Sequence, residues 1–241
     1  MIYKIKNKIT KMLSDFYLGL FGYPSADFSV DYNKYGLKKF PQDPHNISVF
    51  RKKRAELVNS LISPNSTVLD LGCGDGAILI YIDDHNLIDG TGVDITEQSK
   101  VALGDHDLKF IKADISDLKN TTLIPAADHV LLLELIEHFS NPEALLSAYL
   151  AKANKGVIFS VPNTGFVLHR LRLLFGRFPL QWQLYPGEHL RFWTIKDMHW
   201  WLKKQGFQNA QCHYYRGVPV LNNLWPNLFA AGIIVQIPSE K

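Results

Sequence analysis

Cysteine is scarce in this 241-residue chain, where Cys73 and Cys212 are the only two. They lie in unrelated contexts, which excludes both a disulfide framework and a spaced Cys/His metal motif. A reducing, cytoplasmic compartment is the expectation. A strong charge of either sign is also missing. The formal net charge is +3, too small to give a nucleic-acid partner general support. No run approaches the roughly 18 uncharged apolar residues of a membrane-spanning helix. Internal repeats and low-complexity tracts are absent. So is the dinucleotide fingerprint: the glycines of the one glycine-rich loop fall at 72, 74 and 76, with the third one residue too early for G-x-G-x-x-G. That spacing counts against NAD or FAD.

What is present suits one globular domain, since 46% of residues are hydrophobic and 20% charged, enough to bury a full core. Over residues 2–21, Ile2, Ile5, Ile9, Met12, Leu13, Phe16 and Leu20 recur at three- and four-residue spacing beside Lys4, Lys8 and Lys11. This pattern predicts an amphipathic helix. Two readings stay open for it: contact with the inner membrane surface, or docking on the protein's own core. A signal peptide fits poorly, because the apolar run is short and Asp15 interrupts its approach. Residues 22–44 read as an irregular connection, and a second helix is predicted from Asn46 to about Ile62, where Pro64 and its neighbours stop it. The expected organisation is an N-terminal region, 1–44, ahead of a main domain, 45–241.

From Thr67 onward apolar runs alternate with helical ones. Strands are predicted at 67–71, 90–95, 108–112, 128–134, 156–161 and near 207–215 and 231–237, and helices at 77–85, 142–152 and 195–205. Strands buried on both faces and separated by helices predict an α/β fold. It is a doubly wound, Rossmann-like, seven-stranded, mostly parallel sheet with helices on both faces. Residues 163–191 break the rhythm and read as an inserted cap.

The first strand runs directly into Gly72, Cys73, Gly74, Asp75 and Gly76, and a helix follows at once. Glycines let the backbone turn sharply and approach a ligand, while free N–H groups at the helix start favour a carboxylate. Asp70, two residues before the first glycine, suits the cationic amine of a methionyl group rather than a pyrophosphate. Asp94 ends the second strand, where a carboxylate can accept ribose hydroxyls. Asp114 ends the third and can accept from an adenine amino group. Any one of these acids alone reads as a cap or solvated turn. Three at successive strand ends beside a glycine loop read as one adenosine and amino-acid site.

At these residues the chain resembles the class I S-adenosylmethionine-dependent methyltransferases, and the resemblance runs from about Thr67 to Pro238. VLDLGCGDG (68–76) resembles the cofactor loop, GVDI (92–95) the ribose motif, KADI (112–115) the adenine motif and DHVLLLELIEHF (128–139) the fourth motif. The resemblance implies S-adenosylmethionine as cofactor, with Asp70, Gly72, Cys73, Gly74, Gly76, Asp94, Ile95, Asp114, Ile115, Leu133 and Glu134 around it. FSVPN (159–163), HRLR (169–172), EHL (188–190) and TIKD (194–197) resemble the MetW-like group of methionine biosynthesis and methyltransferases of quinone and surface-glycan pathways. The Glu137-His138 pair and the basic N-terminal extension depart from the MetW pattern. Fold does not carry the substrate with it.

Methyl transfer from a sulfonium is a direct displacement, so alignment and exclusion of water are the main requirements and no metal is needed. A hydroxyl acceptor must lose its proton, which makes His138, just past the fourth strand, and His189, from the cap, the catalytic candidates. Each alone reads equally as a packed or solvent-facing histidine. Cap residues such as Phe166, Leu171, Phe175, Phe178 and Trp182 either wall an apolar acceptor pocket or simply pack the insertion. Arg170, Arg172 and Arg177 either receive an acceptor phosphate or carboxylate or form a solvated face. The function expected is methylation, as O-methylation, of a small-molecule, quinone-like or lipid- or glycan-linked acceptor. The other reading is a MetW-like accessory protein acting by partner binding. An RNA methyltransferase has little support, because no aromatic and arginine series or RNA-binding module is visible.

Overall fold

The computed structural model of the chain describes residues 14, 17, 20–22, 45, 47–179 and 188–239. The predicted helix 2–21 and connection 22–44 lie largely outside them, as does part of the cap. Seven strands form one sheet in the order β3-β2-β1-β4-β5-β7-β6. They are β1 (Thr67–Leu71), β2 (Asp89–Asp94), β3 (Lys109–Lys112), β4 (Ala127–Leu133), β5 (Ala153–Pro162), β6 (Gln211–Tyr215) and β7 (Gly232–Pro238). Strands β3, β2, β1, β4 and β5 are parallel, and β7 runs antiparallel to both β5 and β6. This is the doubly wound, mostly parallel sheet that the sequence predicts.

Strand alternation divides the core into two. Leu69, Leu71, Val130, Leu132, Val157, Phe159 and Val235 point to one face. There they meet α4 (Pro142–Leu150) and α6 (Ile195–Lys204) through Leu145, Tyr149, Met198 and Trp201. Val68, Leu131, Leu133, Ile158 and Ile234 point to the other face, against α1 (Val49–Ser60) and α2 (Ala77–Asn86), which supply Ala55, Val58, Ile78 and Leu79. A period of two therefore sorts each strand between two helical layers. Asp70 shares the parity of Val68 and faces the α1 side, buried at 3% exposure.

Helix α1 begins on a side-chain cap, Ser48 Oγ accepting from Arg51 N, and α6 opens on a capping box between Thr194 and Asp197. Two further helices were not resolved by periodicity: α3 (Lys100–Gly104) and, within the expected cap, α5 (Val167–Leu174). The short helices α7 (Leu221–Leu224) and α8 (Pro226–Phe229) join β6 to β7. Where the chain returns from the cap, the backbone N–H groups of Leu190 and Arg191 donate to Glu137 O at 2.8 and 3.0 Å. Helix α5 meets the N-terminal segment, Arg172 Nη2 donating to Gly22 O at 3.0 Å and the Phe21 ring lying 5.7 Å from Phe175.

Candidate active site

The loop between β1 and α2 places Gly72, Gly74 and Gly76 at φ of +68°, +60° and +76°, a region that side chains other than glycine's rarely adopt. A Cβ on Gly72 would lie 2.8 Å from Leu135 Cδ1, so the loop presses against the turn that follows β4. Four of its five N–H groups are engaged within the chain. Gly72 N and Cys73 N donate to Val93 O at 2.7 and 3.1 Å, Gly76 N to Cys73 O at 2.9 Å, and Gly74 N to Asp94 Oδ2 at 3.0 Å. The loop's contribution is close approach without a side chain, over a rigid hydrogen-bonded frame.

Asp94 anchors that frame. Its Oδ1 accepts from Thr96 N and Thr96 Oγ1 at 2.8 and 2.9 Å, and its Oδ2 from Gly74 N. Three of about four acceptor positions on the carboxylate are thus taken within the chain, leaving one on Oδ2. Ile95 beside it is exposed at the strand's end. Asp114 is exposed and accepts from Ser116 N and Oγ at 2.9 and 2.6 Å, an Asx turn beside the buried Ile115. Cys73 is buried, its sulfur 3.3 Å from Ser99 Oγ, and burial pushes the thiol pKa up. It packs the loop from below.

Burial pushes the Asp70 carboxyl up to about 7, with Arg54 opposing the shift and Asp94 adding to it. Helix α1 delivers the cations of this neighbourhood. Arg51 binds both carboxylate oxygens of Asp75, the loop's own acid. Arg54, buried at 6% exposure, lies 3.1 Å from Glu134 Oε1. Glu134 itself takes φ +52° immediately after β4, its N–H held by Ser160 O and Oγ, both at 3.0 Å. Glu134 Oε1 accepts from Ser160 Oγ at 2.9 Å and Tyr215 Oη at 3.3 Å. Burial alone would lower the Arg54 pKa, but Tyr215, Glu134 and Glu137 outweigh it and keep the guanidinium charged.

Sequence reasoning missed Arg51, Arg54, Ser160 and Tyr215. Only the spacing of Arg51 and Arg54, one turn apart on the predicted helix, carried a signal.

These residues fit the methionyl end of S-adenosylmethionine on the chemistry of their donors. Arg54 Nη1 is ion-paired with Glu134, while its Nε is a buried atom that completes no hydrogen bond among the described residues, so Nε suits a carboxylate. Asp70 suits an ammonium. Leu133, 9% exposed at the end of β4, supplies apolar wall.

Beyond β4 a 3-10 turn, Ile136–His138, carries one of the two candidates for proton chemistry, and the return from the cap carries the other, His189. His138 and His189 meet edge to face with ring centroids 4.7 Å apart. His138 Nδ1 lies 3.0 Å from Glu188 O. A carbonyl only accepts, so Nδ1 carries the hydrogen of this contact. Ligand-type atoms of Glu137, His138 and His189 all fall within 4.8 Å of one another. Of the cap arginines, Arg172 is buried and donates to Phe178 O and Gly22 O, so it belongs to the packing rather than to an acceptor. Arg170 is exposed but spans Gly165 O and Asn227 O.

The family model described as a methyltransferase domain matches residues 45–211. The chain belongs to the methyltransferase domain family. Its fold is that of the class I S-adenosylmethionine-dependent methyltransferases. An S-adenosylmethionine-dependent methyltransferase from Archaeoglobus fulgidus aligns with a TM-score of 0.54 at 18% identity, over 78% of this chain and 96% of that one. Magnesium protoporphyrin IX methyltransferase from Synechocystis PCC 6803, with S-adenosylhomocysteine bound, aligns with a TM-score of 0.57 at 15% identity, over 95% and 100% of the two chains. Both likenesses are of fold. A bifunctional methionine biosynthesis protein MetXA/MetW of Rhodopirellula baltica is 27% identical over 161 residues, 59% of this chain. The chain spans about a quarter of the length of that curated relative, 25%. Among the described residues no helix is long and apolar enough to cross a membrane.

Proposed function

We propose that this methyltransferase-domain protein transfers a methyl group from S-adenosylmethionine to a hydroxyl of a small-molecule, quinone-like or glycan-type acceptor. The observation that carries this reading is the pairing of two settings at one end of the sheet: opposite charges, Asp70 and Arg54, beside the glycine loop, and the His138–His189 pair just beyond β4. When bound, S-adenosylmethionine supplies a methyl group on a sulfonium, ready for direct displacement. Asp70 and Arg54 take the amine and carboxylate of its methionyl end. The remaining acceptor position on Asp94 takes a ribose hydroxyl, and Ile95, Ile115 and Leu133 provide apolar contact, with Asp114 at the adenine side.

His138 acts as general base through Nε2, with Nδ1 held by Glu188 O to fix the ring and tautomer. His189, against the His138 ring, orients the acceptor. Residues 163–191, returning to Glu137 O, form the cap that keeps water from this end. The domain division at about residue 45 belongs to the same reading. So does the N-terminal helix, whose last turn meets α5 and thereby favours docking on the protein over a purely interfacial role.

Methyl-transfer assays against hydroxylated acceptors test the proposal. His138→Ala should lower turnover by about 10²–10⁴-fold while cofactor affinity stays near wild type, and His189→Ala should act mainly on acceptor KM. Wild-type turnover in His138→Ala overturns the base assignment. The similarity to MetXA/MetW supports one other reading, an accessory protein that binds the cofactor without consuming it. Cofactor binding by calorimetry with no turnover on any acceptor would favour that role.

A further inference from the structure

Strands β5 and β6 end, and β7 begins, at one rim of the sheet, where Pro162 and Tyr215 both pair with Gly232. Because β1, β4 and β5 are parallel, the glycine loop and the turn after β4 lie at this same end. Two segments cross this rim: 163–179, the first part of the cap, with α5, and 216–231, with α7 and α8. Both present large apolar side chains to solvent. Leu174 is 77% exposed, Phe175 55% and Phe178 61%, and on the second segment Val220 is 70%, Leu224 75% and Trp225 59% exposed. Exposed apolar residues scattered singly need no explanation, but a group of this kind marks an interaction surface.

The two segments are joined side by side. Arg170 Nε donates to Gly165 O at 2.6 Å and its Nη2 to Asn227 O at 3.5 Å, tying α5 to α8. The tip is held rigidly: Val220, a β-branched residue, takes φ +68°, while Val218 N donates to Phe229 O and Asn222 N to Val218 O, each at 2.9 Å. A conformation this costly for valine persists only where the surroundings over-determine it.

Charge selects the occupant. The chain carries 23 acidic residues in 241, so stretches of 20 or more without any are informative. Residues 163–187 contain no Asp or Glu and three arginines, and residues 216–238 contain no Asp or Glu and one arginine. Arg172 is buried, but Arg170 and Arg216 are exposed on these acid-free segments, and exposed cations beside apolar side chains are complementary to anionic headgroups over hydrocarbon. Trp225 has the amphipathic ring that favours the headgroup level.

We propose that this rim docks on an anionic lipid bilayer. Leu174, Phe175, Phe178, Val220, Leu224 and Trp225 enter the interface, and the exposed Arg170 and Arg216 face the phosphates. Docking does not depend on which reaction the site performs, but it sets the site's end of the sheet toward the membrane, where a lipid-linked acceptor would arrive.

The test is co-sedimentation of the full chain with vesicles of phosphatidylcholine alone and with phosphatidylglycerol added, at low and high salt. Partitioning should be about tenfold stronger onto anionic vesicles and should weaken at high salt. The double variant Leu174→Ser, Trp225→Ser should lose about tenfold in partitioning, with its melting temperature unchanged because both positions are exposed. Should that variant melt early, Phe178→Ser with Leu224→Ser takes its place. Equal partitioning onto both vesicle types, or none, overturns the proposal. So does undiminished binding of the serine variants, which would assign membrane contact to residues 2–21 alone. A wild-type dimer that the serine variants abolish would identify the rim as a contact between copies and overturn it as well.

Discussion

Position 70 shows how much of this site depends on one side chain's surroundings. A carboxyl that burial pushes up to about 7 stays protonated in the fold over a range where the unfolded chain, with an Asp pKa near 3.9, has already released its proton. The native state therefore holds more protons between about pH 4 and 7, and the stability of the ligand-free protein should fall as pH rises through that window. Thermal melts from pH 5 to 8 check this, and Asp70→Asn should flatten the slope. A cationic ligand at Asp70 reverses the preference, so cofactor binding should release a proton near pH 6.5, visible as a dependence of calorimetric enthalpy on buffer. Asp94→Ala should weaken cofactor binding by roughly 1.5–3 kcal/mol, the worth of a charge-assisted bond, and should also loosen the loop, because Gly74 N loses its acceptor. Equal cofactor affinity in that variant would remove Asp94 from the site. Asp70, Asp94 and Asp114 were legible because each falls at a strand end in a fixed relation to the glycines. Arg54, Ser160 and Tyr215 were not, because their meeting at Glu134 joins positions 54, 134, 160 and 215, whose proximity no local pattern encodes.

Helix α1 couples the domain's first element to the cofactor loop through two side chains one turn apart. Arg51 holds Asp75, and Arg54 balances the buried charge of Glu134 and Glu137. Removing one partner of a buried pair leaves the other uncompensated, so Arg54→Leu should destabilise the fold by about 3–5 kcal/mol, measured by denaturant unfolding. A loss below about 1 kcal/mol would mean that solvent reaches Glu134 freely. The strands and longer helices were readable from sequence because their alternation and spacing coincide with the two-layer core. The predicted ends shift by a few residues where a cap or bulge intervenes, as at β5, which starts at Ala153 beside a register shift opposite Ala127 and His129. Helices α3, α7 and α8 escaped because four or five residues complete barely one turn, too short for a periodicity to show. The cap's composition announced an interruption but hid both α5 and the conversion of Arg172 into a buried strut.

Across the whole molecule the parallel half of the sheet is assembled from local right-handed units, while its far edge is not. β7 follows every other strand in sequence yet lies between β5 and β6, pairing with seven positions of one and five of the other. Ile233, Ile234 and Val235 on it are fully buried, one set in each core layer. A chain stopped after Ala231 should fail to give a cooperative melt, whereas loss of the residues after Pro238 should be tolerated. A sharp transition in the shorter chain would show that the parallel half closes by itself. The interior placement of β7 has a consequence for vectorial synthesis. Everything up to Tyr215 leaves the ribosome with no neighbour for β6, and translation of residues 216–238 takes roughly one to five seconds at ordinary elongation rates. For that interval the nascent protein exposes the free edge of β5 and an orphan β6, which makes these seconds the period in which a chaperone holding the β5 edge would raise the yield of native protein most.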